Sequence, residues 1–112
     1  MKVSEAKIQQ DICVWFKNNY CLKHHEPKSL IFSVPNEREG FLMMRKLIQT
    51  GLMSGVSDLI VIHKGQVLFV EVKTATGKQS PKQKEFEDKV KQQGFKYYLV
   101  RNLKDFQQII CT

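Results

Sequence analysis

Three side chains near the middle of the chain have the types and spacing for chemistry: Asp58, Glu71 and Lys73. Asp58 opens a continuous apolar run, Leu59-Ile60-Val61-Ile62, and Glu71 closes another, Val67-Leu68-Phe69-Val70. Between the runs, Lys64-Gly65 is a two-residue hairpin signal, with Lys less favoured than Asn or Asp at its first position. That loop pairs His63 with Gln66, and the register carried along both strands sets Asp58 opposite Glu71. Directly opposed Cβ atoms lie roughly 5 Å apart, and like charges held that way are destabilising. Lys73, two residues beyond Glu71, points to the same face. A core does not need such a group. Hard divalent cations such as Mg2+ take oxygen ligands of this kind, and the Val72 carbonyl can add one more oxygen. A cation there suits phosphodiester hydrolysis, because it neutralises phosphate charge and acidifies a water. Lys73 would then hold the water or stabilise developing negative charge. The ordinary alternative is a solvated strand end with Lys73 paired to one carboxylate.

The elements that must position these groups can be read from periodicity and caps. Ser4 is an N-cap signal for a helix from Glu5 to about Asn19, with an apolar stripe of Ile8, Ile12, Trp15 and Phe16. At about 100° per residue, Glu5 falls within roughly 20° of both Ile12 and Phe16. Two readings of Glu5 stand: a third acid facing the site, or a first-turn acid that complements the helix dipole. Leu30 to Val34 reads as a strand closed by Pro35-Asn36, and Phe41 to about Gln49 as a second helix stopped by Gly51. Asp58 to Ile62 and Gln66 to Lys73 form the hairpin. Ser80-Pro81-Lys82-Gln83 combines an N-cap, a Pro at the first helical position and a capping-box residue, and starts a helix running to about Gln93, with Gly94 beyond. Gln83 therefore has two readings as well, as a capping-box partner or as an amide facing the carboxylates. Phe95 to Val100 is a strand, and Asn102 caps a last helix ending near Ile110. The expected order is α-β-α-β-β-α-β-α, an α/β domain with a central sheet. Both faces of the hairpin are apolar, so helices should cover the sheet on both sides. Of Tyr97 and Tyr98, one should be core and the other surface.

With 112 residues the chain is sized for one domain, residues 1–112, and its 42% hydrophobic content argues against disorder. Its 18 basic and 11 acidic residues give a net charge of +7, which favours a polyanionic partner. Lys78 and Lys82 form an expected phosphate-facing patch, whereas Glu85, Glu87 and Asp88 make part of that helix an ordinary charge-paired face. Arg38, Arg45 and Lys46 flank the second helix. No apolar run is long enough to span a membrane, and no leader sequence is expected. Three cysteines without framework spacing favour free thiols and a cytoplasmic setting. Cys21, His24 and His25 lack the second ligand pair that a zinc site needs.

The segments Gly55-Val56-Ser57-Asp58-Leu59, Glu71-Val72-Lys73 and Ser80-Pro81-Lys82-Gln83 together resemble the virus-type replication-repair nuclease (VRR-NUC) domain. That family belongs to the PD-(D/E)XK superfamily of restriction-endonuclease-like folds. Val34-Pro35-Asn36 and the Glu5 helix fit the same order, and Ser57 stands where the superfamily name expects Pro. The resemblance implies that Asp58, Glu71 and the Val72 carbonyl bind Mg2+, with Mn2+ as a substitute. It implies further that Lys73 is the catalytic lysine, that Glu5 assists through water and that Gln83 is the supporting polar residue. Asn36, Arg38, Lys78 and Lys82 are expected to contact DNA. The resemblance also implies a stand-alone, phage-type homodimer, in the host cytoplasm if phage-encoded, that resolves branched DNA such as Holliday junctions in repair. Two other outcomes stay open: a nickase, flap nuclease or exonuclease with the same metal site, and a basic DNA-binding module without turnover.

Overall fold

The computed structural model describes residues 3–34, 49, 51 and 53–111. Within them the order is α1 (Glu5–Tyr20), β1 (Leu30–Ser33), β2 (Leu59–His63), β3 (Gln66–Val72), α2 (Pro81–Gln92), β4 (Lys96–Val100) and α3 (Leu103–Ile110). The expected helix over residues 41–49 falls almost wholly outside the described residues, as do Asn36, Arg38, Arg45 and Lys46. The four strands form one mixed sheet in the order β1-β2-β3-β4, antiparallel except for the parallel β3–β4 pair. The fold class is therefore the expected α/β with a central mixed sheet.

The hairpin register is the one that the turn dictates, with His63 paired to Gln66 and Leu59 to Val70. Lys64 and Gly65 both take positive φ, 50° and 75°. That is the geometry of the tight turn whose twist matches its strands, and Lys64 accepts the steric cost of adopting it. Leu59, Val61, Val70 and Val72 share one face and are fully covered, packed with Ile12 and Phe16 of α1 and Phe106 of α3. Burying each such side chain contributes about 1.5–3 kcal/mol. The opposite face carries Phe69, whose ring meets Phe86 of α2 edge-on at 5.8 Å.

Helical cover on the α2 side is uneven. Leu30, Phe32 and Ile62 remain exposed there among the described residues, because α2 packs over the β3–β4 half of the sheet. The tyrosine expectation needs correction. Tyr97 is buried on the α2 face and Tyr98 is half-buried on the core face, so neither is a surface residue. Both faces of β4 are covered, and strict in–out alternation does not apply there. No helix among the described residues is long and apolar enough to cross a membrane.

Candidate active site

Glu71 lies at the end of β3, paired in the ladder with Leu99 of β4, and is only 1% exposed. A solvated strand end is therefore excluded for it. Asp58 differs slightly from the expected placement. The β2–β3 ladder ends at Leu59–Val70, so Asp58 sits one residue outside it. Its Oδ2 instead accepts the Val72 backbone N–H at 2.8 Å, while its carbonyl accepts the Val34 N–H at 3.0 Å. These two bonds fix Asp58 between β1 and β3. Lys73 is buried, its backbone N–H held by the Val100 carbonyl, and its Nζ stands 3.6 Å from Glu71 Oε2.

Gln83 satisfies both of its sequence readings at once. Its Oε1 accepts the Ser80 N–H at 2.8 Å, which completes the capping box at the start of α2. Its Nε2 donates to Glu71 Oε2 at 3.0 Å. An amide has one acceptor and two donors, so glutamine can cap the helix and bind the carboxylate together. Glutamate would keep the cap and lose the donor.

Electrostatics mark Glu71 as the focus. Its carboxyl holds its proton up to about 8, first because it is buried and next because Asp58 lies beside it. The charge on Glu5 acts in the same direction, while Lys73 opposes it only partly. As a carboxylate, Glu71 leaves Oε1 buried without a hydrogen-bond donor. Protonated, it shares a hydrogen bond with Asp58. Like-charged carboxyls that repel, with a spare buried oxygen, are the donor set that a divalent cation relieves. Among the described residues no three His, Cys, Asp or Glu side chains converge at ligand spacing. Asp58 and Glu71 are the two acids whose side chains lie beside each other there. Glu5 is exposed at the first position of α1, so it complements the helix dipole while its field still reaches Glu71.

The surroundings contain three supports that periodicity does not reveal. Gly55 takes φ +79°, and a Cβ there would collide with the Lys82 backbone carbonyl. The loop that leads into Asp58 therefore lies directly on the first turn of α2, where Gln83 begins. Arg101 donates from Nη1 to the carbonyls of Thr74 at 2.6 Å and Gly77 at 2.8 Å, pinning the loop after Lys73. Gln79 donates to both Glu87 Oε1 and the Tyr97 hydroxyl. The only sequence signals for these were a glycine before the motif and an arginine after a strand.

Lys78 and Lys82 are exposed, in the approach to α2 and on its first turn. Further along, Lys89 pairs with Glu85 at 3.1 Å and Lys91 with Glu87 at 2.6 Å. That half of the helix is the charge-paired face that the interleaved acids imply. Cys13, Cys21 and Cys111 are free thiols.

A mixed sheet whose central hairpin ends in Asp58, Glu71 and Lys73, backed by a helical Gln83, defines a nuclease of the PD-(D/E)XK type. The profile of the VRR-NUC domain matches residues 3–102, and the chain belongs to that family. Similar solved structures include the following two. A protein described as "VRR_NUC domain protein" superposes with a TM-score of 0.77 at 19% identity, covering 98% of this chain and 87% of its own. One described as "VRR_NUC domain" gives a TM-score of 0.64 at 21% identity, covering 95% and 92%. These likenesses concern the fold. No curated protein matches the sequence significantly.

Proposed function

We propose that this VRR-NUC domain is a Mg2+-dependent, structure-selective endodeoxyribonuclease that cuts branched DNA, with four-way junctions as its substrate and a homodimer as its working form. The observation that carries the reading is Glu71: a buried carboxyl beside a second acid, which keeps its proton to about 8 and, once ionised, leaves one oxygen without a donor. A cation held by Asp58, Glu71 and the Val72 carbonyl would neutralise a phosphate and acidify a water.

The chain's own groups then have distinct tasks. The Val72 N–H holds Asp58, and Gln83 holds Glu71, so both acids are oriented before substrate arrives. Lys73 places its Nζ next to Glu71 and supplies positive charge where a pentacoordinate phosphate becomes more negative. Glu5 acts at longer range, through water. Lys78 and Lys82, with Asn36 and Arg38, bind flanking phosphates, and each such contact releases condensed counterions. The products carry 5′-phosphate and 3′-hydroxyl ends. A two-fold dimer presents two sites to a substrate with two-fold symmetry. The net charge of +7 suits that partner, and the free thiols suit a reducing cytoplasm.

The test is cleavage of four-way junctions, flaps and linear duplex in Mg2+, with wild type beside Asp58→Asn, Glu71→Gln and Lys73→Ala. Each variant is expected to bind junction DNA and to lose cutting by at least about 100-fold. Symmetric paired nicks on the junction support the resolvase reading. Cutting of one arm only would make the enzyme a flap nuclease or nickase, and full activity of Glu71→Gln would end the metal-site reading.

A further inference from the structure

Beside the acidic cluster lies a cavity of about 460 Å3, between the first turns of α1 and the end of β1. Gln9, Gln10, Cys13 and Ser33 line it, and Glu5 and Asp58 line it as well, so it is continuous with the proposed metal site. The bond from the Val34 N–H to the Asp58 carbonyl ties its wall to that site.

Its lining constrains what it can hold. Its described lining carries two acids, Glu5 and Asp58, and three uncharged polar side chains, Gln9, Gln10 and Ser33. Amides offer a donor and an acceptor side by side, the pattern that reads nucleobase edges. Among the described residues, no hydrogen bond engages the side chains of Gln9, Gln10 or Ser33. Size points the same way. About 460 Å3 is room enough for a single nucleoside.

We infer that this cavity is a subsite for one unpaired nucleotide adjoining the scissile phosphate. The inference rests on the nuclease reading and gives its structure selectivity a physical cause. Extracting a base from an intact duplex costs a few kcal/mol, and far less where the base is already unpaired. A site that must seat a lone nucleotide next to the cut bond therefore favours branch points and flaps over continuous duplex. The side chains of Gln9 and Gln10 are the specificity-determining groups in this arrangement.

The experiment places 2-aminopurine, one position at a time, at the three nucleotides on either side of the branch point in a flap and in a four-way junction. Binding is followed in Ca2+, without hydrolysis, for wild type, Gln9→Leu and Gln10→Leu. Cleavage in Mg2+ is then measured on substrates with and without an unpaired nucleotide at the responding position. No aromatic ring is among the described lining residues, so an unstacked probe should stay bright. The expected result is a several-fold rise in emission at one position with wild type, lost in Gln9→Leu. The unpaired-to-paired ratio of kcat/KM should fall at least tenfold in that variant. Leucine is a good helix former, and matching circular dichroism with a second variant, Gln10→Leu, guards against misfolding. No response at any position, or wild-type ratios in both leucine variants, would overturn the inference even if junction cutting is normal. A bright, Gln9-dependent signal from a protein that cuts nothing in Mg2+ or Mn2+ would instead sink the nuclease reading and leave the subsite standing.

Discussion

Replacing Glu71 with glutamine should abolish cutting and yet stabilise the metal-free protein at alkaline pH. Glu71 keeps its proton to about 8 in the folded chain, against an ordinary 4.5. Between those values the folded state holds a proton that the unfolded state has released, so stability falls as pH rises, and it levels off above 8. At about 1.36 kcal/mol per pH unit, the full penalty reaches about 5 kcal/mol, and local relaxation and water entry bring the realised value to roughly half of that. Glu71→Gln retains an acceptor for Gln83 and an amide donor in place of the carboxyl proton, without the charge. In EDTA at pH 9 it should exceed wild type by about 2–3 kcal/mol, or roughly 10 °C in Tm for a domain of this size. Urea unfolding at pH 5 to 9, read from the single Trp, Trp15, measures this. His63 is a competing titration. Burial lowers its pKa, so its contribution is lost as pH falls through 6.5, and subtracting variant from wild type removes it. If wild type and Glu71→Gln keep a constant difference from pH 5 to 9, the buried-acid argument is wrong.

Other perturbations probe the supports. Gln83→Glu should leave the α2 cap and helix content intact but lower cleavage at least tenfold, because it deletes the donor to Glu71 and adds a carboxylate beside it. Gly55→Ala should cost about 2–4 kcal/mol in urea unfolding, from the positive φ and the collision with the Lys82 carbonyl, and activity should fall with it. Removing Lys82 should weaken junction binding about equally across sequences and reduce the slope of log affinity against log salt by about one, as filter binding at several salt concentrations would show.

Much of this site was legible before any coordinates, because its determinants are local. Lys64-Gly65 fixes the hairpin register, and that register brings Asp58 and Glu71 to one end of the sheet whatever surrounds them. Ser4, Ser80-Pro81 and Asn102 announce their helices through caps that need only neighbouring residues. For Gln83 the two readings are not rivals, because one amide has atoms enough for both. What stayed hidden depends on contacts between distant segments. The close approach of Gly55 to α2, the Arg101 grip on the loop after Lys73 and the covering of both β4 faces leave no periodic trace. The displacement of Asp58 just outside the ladder is similar, since it follows from hydrogen bonds to Val72 and Val34 and not from strand propensity. The cavity beside Gln9 is lined from both α1 and the end of β1, which no single stretch of residues encodes.

The central claim is that Asp58 and Glu71 share a divalent ion. Calorimetric titration of Mn2+ into wild type, Asp58→Asn and Glu71→Gln, at pH 6 and pH 8, tests it most directly. Wild type should bind up to about 100-fold more tightly at pH 8, because one proton must leave Glu71 as the ion enters, and both variants should lose the site. Undiminished binding in either variant, or an affinity in wild type that ignores pH, would contradict it.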